Sequence, residues 1–300
     1  MKSEKNGVII IDKEEGISSQ GVVNRVKKLL GASKAGHTGT LDPMATGVLP
    51  VLVERGVKAS EYMLSSDKHY IATLLLGITT DTEDVTGTVL TTSQNVPTEE
   101  EVKAAALSML GESEQTPPMY SALKIGGKKL CDLARAGEVV EREARKITIY
   151  NITCEKINDK EYTLDITCSK GTYIRTICND IGKKLGCGGV MKTLRRASAA
   201  GFTLSDAHTL GEIENASEEE RQNLILPIET VFKKYRSVSL SPFFARLAKS
   251  GLEIYCKKIG FYAEIGEFIR LEDENGFFAL GECRLFDGEA AIKPIKQFEI

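Results

Sequence analysis

The stretch from Gly36 to Gly47 reads GHTGTLDPMATG and carries one carboxylate, Asp42, among three glycines and Pro43. Glycine and proline prescribe particular backbone paths, so a loop of this kind holds the side chain between them in a defined direction. An acid held that way can act as a nucleophile or a base. The plain alternative is an Asx turn, in which an aspartate before proline bonds its own backbone. Arg175, in CSKGTYIRTI, follows a strand-like run and a glycine turn and lies near the start of a helical pattern. An arginine so placed binds phosphate or pairs with a carboxylate, unless it is simply a surface arginine. Tyr70 heads the run YIATLLLG, as an edge-of-core tyrosine or as a platform on which a base stacks. Arg195 and Arg196 form a basic pair beside Leu194 in MKTLRRAS.

Familiar catalytic signatures are missing. There is no Walker loop, no G-x-G-x-x-G after a strand and no G-x-S-x-G elbow. DTEDVTG at 81–87 faintly suggests a calcium loop, but its twelfth position is Thr92 instead of glutamate. Asn151-Ile152-Thr153 fits a glycosylation acceptor but lies in an expected strand. Seven cysteines stand singly with no Cys-x-x-Cys pair, and three histidines form no zinc cluster. Metal-dependent chemistry is not expected, although counting alone leaves a carboxylate-bound magnesium site open.

The elements that must position these residues are legible in outline. GVIIIDK reads as a short buried strand. Ser18 or Ser19 caps a helix through QGVVNRVKKLLG, where Val22, Val23, Val26, Leu29 and Leu30 recur at helical spacing and Gly31 stops it. The Asp42 loop then lies between two apparent helices, because GVLPVLVERGVKASEYML resumes apolar periodicity. HYIATLLLG and TVLTT read as strands around the turn-rich ITTDTEDVTG. TEEEVKAAALSML is a helix with Thr98 and Glu101 as a capping box. Two prolines make QTPPMYSALK a loop, followed by a helix over KKLCDLARAG that ends at Gly137. ARKITIYNITCEKI and EYTLDITC are strands, and YIRTICNDIGKKLG is a helix. Residues 201–227 read as helix and loop. From about 232 the texture changes to short apolar runs with glycines, and Glu274-Asn275-Gly276 signals a hairpin. The expected architecture is α+β, with a catalytic domain over 1–231 and a small β-rich domain over 232–300.

The 300 residues carry a net charge of −3 with 42% hydrophobic and 27% charged residues, an ordinary soluble composition. No apolar run approaches the roughly 20 residues that cross a bilayer. MKSEKNGVIIIDK has too short an apolar run for a signal peptide, so the chain is expected to be cytoplasmic and its thiols reduced. The charge is unevenly spread: +3 over 1–60, −8 over 61–119, +7 over 120–200 and −5 over 201–300. Two positive segments folded together would hold an RNA backbone on an acidic protein. The acidic segments should then face elsewhere. Uneven but meaningless surface charge is the alternative.

The blocks GVIIIDK, AGHTGTLDPMATGVLP, DKHYIATLLLG, TDTEDVTG, PPMYSALKIGGKKLCDLARAG, CSKGTYIRTICNDIGKKLG and LRR follow one another in order. In this order and spacing the chain resembles the bacterial TruB-type tRNA pseudouridine-55 synthases, closely over 7–200 and more loosely beyond. The resemblance implies a pseudouridine synthase fold: a central mixed sheet flanked by helices, with a C-terminal PUA-like RNA-binding domain. It implies isomerisation of uridine 55 in the T loop of tRNA, with no cofactor and no metal. Asp42 would be the catalytic aspartate, Tyr70 would stack on the target base and assist proton transfer, and Arg175 would pair with Asp42. His37 and Leu194 would shape the RNA pocket, Lys13 would support the site, and Arg195 and Arg196 would add RNA contacts. The partners implied are the T stem-loop and, through the C-terminal domain, the acceptor region, bound by a monomer away from membranes.

That chemistry suits the residues. The reaction breaks an N1–C1′ bond and forms a C5–C1′ bond without net redox change. One carboxylate can attack base or sugar, or remove a C2′ proton, while an aromatic platform and an apolar wall hold the detached base. A glycoside hydrolase would want two carboxylates about 5–9 Å apart, and only one acid stands in such a setting here. Arg175 would keep Asp42 ionised while burial opposes it. The chain departs from the family at Glu14 for proline, Glu54 for glycine, Val57 for threonine, His69 for arginine and Cys131 for tyrosine. Competing readings are a synthase for another RNA site and a non-catalytic RNA-binding or tRNA-folding protein.

Overall fold

The computed structural model describes residues 6–298, so the first five residues of the segment weighed above as a leader lie outside it. Strand β1 (Gly7–Lys13) is followed by helix α1 (Ser19–Leu29), whose N-cap Ser18 accepts a hydrogen bond from Gly21 N. The Asp42 loop leads into strand β2 (Thr46–Val53). Strand β3 (Lys68–Leu76) comes next, then helix α2 (Glu99–Leu107) with the Thr98–Glu101 capping box, and strand β4 (Gly111–Gln115). Strands β5 (Arg145–Lys156) and β6 (Glu161–Cys168) form a hairpin before helix α3 (Ile174–Lys184) and strand β7 (Gly189–Ala199).

These strands form one sheet in the order Leu226–Pro227, β1, β2, β7, β3, β6, β5, β4. Every neighbouring pair on that path is antiparallel except β2 and β7, which run parallel. The α+β architecture expected from the sequence is the one observed. Helices α1, α2 and α3 cover one face, placing Val22, Val26, Val102, Ile177 and Ile181 against Leu74, Leu164 and Ile166. Full burial of each such aliphatic side chain contributes about 1.5–3 kcal/mol. β1 is buried on both faces: Ile9 and Ile11 face the helices, and Val8 and Ile10 join a second core.

That second core joins the two parts of the chain. A five-stranded sheet is built from β8 (Arg236–Ser239), β9 (Ile254–Tyr255), β10 (Phe268–Asp273), β11 (Gly276–Phe286) and β12 (Glu289–Gln297), in the order β8-β10-β11-β12-β9. The expected turn at Glu274-Asn275-Gly276 joins β10 to β11. Phe277 and Leu280 from this sheet, and Phe298 just after it, pack with Phe232 onto Val8, Ile10, Val48 and Leu52.

Two sequence expectations change. The segment after the Asp42 loop is not a helix over its length. It is strand β2, then the 3-10 helix Glu54–Ala59 and the short helix Ser60–Leu64. Apolar runs this continuous fit a strand buried on both faces as well as a helix, and pairing with β1 decides between them. Lys128 and Lys129 belong to a short hairpin with Lys124–Ile125, and the helix begins only at Leu130. The Gly126–Gly127 turn, with φ of +58° and +83°, folds the chain back there.

Candidate active site

The Asp42 loop is held at both ends and in the middle. Lys13, fully buried at the end of β1, donates from Nζ to Glu14 O (2.9 Å), Pro43 O (3.1 Å) and Ala45 O (2.6 Å). Ser19 at the start of α1 accepts from Leu41 N and donates to Leu41 O, both at 2.8 Å. Gly16 N donates to Pro43 O, and Arg196 reaches Gly39 O from Nη2 at 3.2 Å. Gly47 has φ +103°, and a Cβ there would stand 2.3 Å from Arg196 O. Only glycine lets β2 approach β7 at this point. The parallel register places Arg195 beside Thr46 and Arg196 beside Gly47.

So held, Asp42 does not form an Asx turn with its side chain. Its backbone O accepts from Ala45 N at 3.0 Å, while the carboxylate turns to Arg175. Arg175 Nε lies 3.0 Å from Asp42 Oδ2, and Nη2 lies 3.4 Å from Oδ1. Arg175 is no surface arginine: it is buried in the first turn of α3. Its other donors reach Thr82 O (2.9 Å) and Tyr120 O (2.8 Å), and Nη1 stands 3.7 Å from Asp84 Oδ2. The α3 N-terminus is capped from outside, since the Gln115 side-chain amide accepts from Tyr173 N and donates to Tyr173 O.

A cavity of about 320 Å³ opens at this pair, lined by Asp42, Tyr70, Lys68, Tyr173, Arg175 and Leu194 among others. Antiparallel pairing of β3 with β7 sets Tyr70 opposite Arg196 and Ala72 opposite Leu194. Burial raises the Asp42 carboxyl above its ordinary value; Arg175 opposes that rise and Asp84 adds to it. The balance that the sequence left open therefore falls on the side of burial. Burial likewise raises the Tyr70 phenol, with Arg196 opposing. Burial pulls Lys13 and Lys68 down to about 8 each. A carboxylate of this kind is a stronger base and nucleophile than a solvated one, and the arginine beside it holds it in one orientation.

Several sequence assignments need correction. Asp42 is not the only acid in the setting, because buried Asp84 shares Arg175 with it. Asp84 belongs to the acidic segment expected to face elsewhere. Its Oδ1 is occupied by Thr82 Oγ1, Thr86 N and Thr86 Oγ1, an Asx-type turn that makes burial tolerable. Arg196 is buried, with Nε donating to Val48 O and Nη2 to Gly39 O, so it braces the loop, and it also lines the cavity. Arg195 forms a bidentate pair with Asp12 and does not line the cavity. His37 also lies outside the lining, and its Nδ1 accepts from Gly39 N at 3.4 Å. His69, the departure from arginine, pairs with Asp165 at 2.8 Å.

Lys68, Asp84, Ser121 and Tyr173 were not singled out from the sequence. Strand alternation carried a signal for Lys68, which shares a face with Tyr70, and Tyr173 stands two residues before Arg175. Asp84 lay in a block weighed as a calcium loop and as part of the family resemblance, with no role given to it, and Ser121 had no local signal. Among the described residues no three His, Cys, Asp or Glu side chains converge as a metal-ligand set.

Comparison with known proteins agrees with this geometry. Residues 27–174 match the TruB family pseudouridylate synthase N-terminal domain, and residues 175–233 match the tRNA pseudouridylate synthase B C-terminal domain. The chain is 39% identical over 291 residues to tRNA pseudouridine synthase B of Aromatoleum aromaticum, covering 96% of this chain and 91% of that protein. It is 42% identical over 278 residues to the protein of the same name from Clostridium tetani, covering 92% and 95%. Among solved structures it is similar to a chain of a Cbf5-Nop10-Gar1 complex, with a TM-score of 0.75 and 26% identity, covering 98% of this chain and 85% of that one. The chain belongs to the TruB family of tRNA pseudouridine synthases, enzymes that isomerise uridine in tRNA.

Proposed function

We propose that the chain converts uridine 55 in the T loop of tRNA to pseudouridine, with Asp42 as the essential carboxylate. The observation that carries this is the Asp42–Arg175 pair in the lining of a cavity walled by Tyr70 and Leu194. At about 320 Å³ the cavity has the size of a site for one nucleotide, which must be flipped out of its loop to enter. Asp42 acts on the base or the sugar as the N1–C1′ bond breaks. Tyr70 stacks on the uracil and helps move its proton, and Leu194 closes the apolar side while the base turns to present C5. Lys13 and Arg196 keep the Asp42 loop in place, and by family resemblance His37 and Arg195 meet the RNA outside the cavity lining. By family resemblance, residues 232–300 form the PUA-like domain that meets the acceptor region, while the catalytic domain over 1–231 takes the T stem-loop. The reading carries with it a monomer working in the cytoplasm, and the seven unpaired cysteines support a reducing compartment.

Asp42→Asn should leave T-arm RNA binding within about tenfold, the scale of one modest contact, and abolish turnover in an assay without added metal. Turnover near that of the natural protein would overturn the role of Asp42, whereas T-arm binding with no turnover by the natural protein would favour an RNA-binding protein. Mapping of pseudouridine in RNA from a deletion strain should show loss at tRNA position 55; loss at a different site instead would assign the enzyme to another RNA.

A further inference from the structure

We infer that Glu83 is a positioning residue for the reaction: its carboxylate sets helix α3 so that Arg175 meets Asp42. The inference rests on the proposed role of Asp42. Glu83 accepts from Thr176 Oγ1 at 2.6 Å through Oε2 and from Asn179 Nδ2 at 3.0 Å through Oε1. Thr176 and Asn179 are buried and follow Arg175 within the first two turns of α3. No other hydrogen bond of the described structure uses those two side-chain donors. Removing the carboxylate leaves both groups buried without an acceptor, and the helix must shift or admit water to satisfy them.

The backbone around Glu83 is shaped for this contact. Its φ is +63°, a left-handed conformation rarely taken by residues with a Cβ. With the chain bent there, three consecutive residues address α3: Thr82 O takes Arg175 Nη1, Glu83 takes Thr176 and Asn179, and Asp84 faces Arg175. Met191 N donates to Glu83 O, and Val85 N donates to Met191 O, both at 3.1 Å. The segment is thereby anchored to β7, the strand that carries Leu194. Glu83 thus links the arginine of the site to the strand forming its apolar wall, without touching the cavity. Misplacement of a reacting group by about 1 Å costs on the order of a hundredfold in rate.

The test compares Glu83→Gly, Glu83→Ala and Glu83→Gln in the full chain with T-arm RNA. Glycine removes the carboxylate but relieves the left-handed backbone, so Glu83→Gly should fold and melt higher than Glu83→Ala. Its single-turnover rate should fall about tenfold to a hundredfold, with RNA affinity within about threefold. The acid limb of its rate–pH profile should move to higher pH as Arg175 draws away from Asp42. The charged and titratable groups facing Asp42 are Arg175, Asp84, Lys13, Tyr70 and Tyr173, and Arg175 is the one that α3 moves directly. Glu83→Gln restores an acceptor oxygen at the same reach and should recover most of the rate and the position of the limb. Should Glu83→Gly and Glu83→Ala fail to fold, Asn179→Ala removes one donor alone and should shift rate and limb the same way, less far. A natural rate and profile in these variants overturns the inference, as does a lowered rate with an unmoved acid limb, which marks a merely structural contact. An active Asp42→Asn protein removes the premise instead, so the two failures are distinguishable.

Discussion

Asp42 meets opposing demands, and the balance has a consequence for stability as well as for rate. Burial raises its carboxyl above the ordinary value even with Arg175 alongside. A raised carboxyl binds its proton more tightly in the folded protein than in the unfolded chain. The folded state therefore loses stability as pH rises above the unfolded value of about 3.9, and carries the full loss above the folded value. Asp42→Asn, which cannot ionise, should melt higher than the natural protein at pH 7. That advantage should shrink as pH falls toward 4, in melting curves taken across the range. Equal melting temperatures at pH 7 would show that Arg175 compensates burial fully. At this scale turn chemistry and strand ends brought Asp42, Tyr70 and Arg175 forward with alternatives open, and the ordered family blocks assigned their roles. The sequence could not show Asp84 beside them, since that proximity depends on a buried arginine drawn between two distant segments.

At the scale of elements, the departure at Glu54 is informative. Its φ is +50°, left-handed at a position where the family usually has glycine. The carboxylate answers by accepting from Ser33 N and, at 2.7 Å, from Ser33 Oγ, tying β2 to the chain entering the Asp42 loop. Glu54→Ala keeps the unfavourable backbone and loses the bridge; Glu54→Gly loses the bridge and relieves the backbone. The glycine variant should exceed the alanine variant by about 1 kcal/mol in urea unfolding at equal m-value. An alanine variant as stable as the glycine one would refute the strain account. Elements of this kind were largely legible: α1, α2, α3 and strands β1, β3, β5 and β6 follow from caps and periodicity. β2 was not, because its residues are buried on both faces and show no alternation to read.

On the scale of the whole molecule, the C-terminal sheet is fastened to the catalytic body by an aromatic core. Phe232 stands 5.3 Å from Phe298 and 5.6 Å from Phe277 between ring centroids, and all three pack over β1 and β2. Lys58 donates to Gln297 O, and Lys296 pairs with Glu61 across the same junction. Phe232→Ala should cost about 3–5 kcal/mol, the usual price of removing a buried ring, measured by denaturant unfolding. Truncation after residue 231 should leave Val8, Ile10, Val48 and Leu52 uncovered, with aggregation visible by light scattering. A well-behaved truncated protein would show that the two parts are independent.

By itself the amino-acid order determined the mixed architecture, most helices and strands, the hairpin at Glu274-Asn275-Gly276 and the ordered blocks around Asp42, Tyr70 and Arg175. Those features are set locally, by caps, turn residues and the period with which side chains return to one face. The tertiary structure alone decided that β2 lies parallel to β7, that Arg196 braces the loop from within, and that Asp84 and Glu83 serve Arg175. Each depends on strand pairing or burial between residues far apart in the chain, by 93 positions for Glu83 and Thr176 and by 157 for Gly39 and Arg196. No local pattern encodes such a choice, because it is made by which surfaces exclude water together.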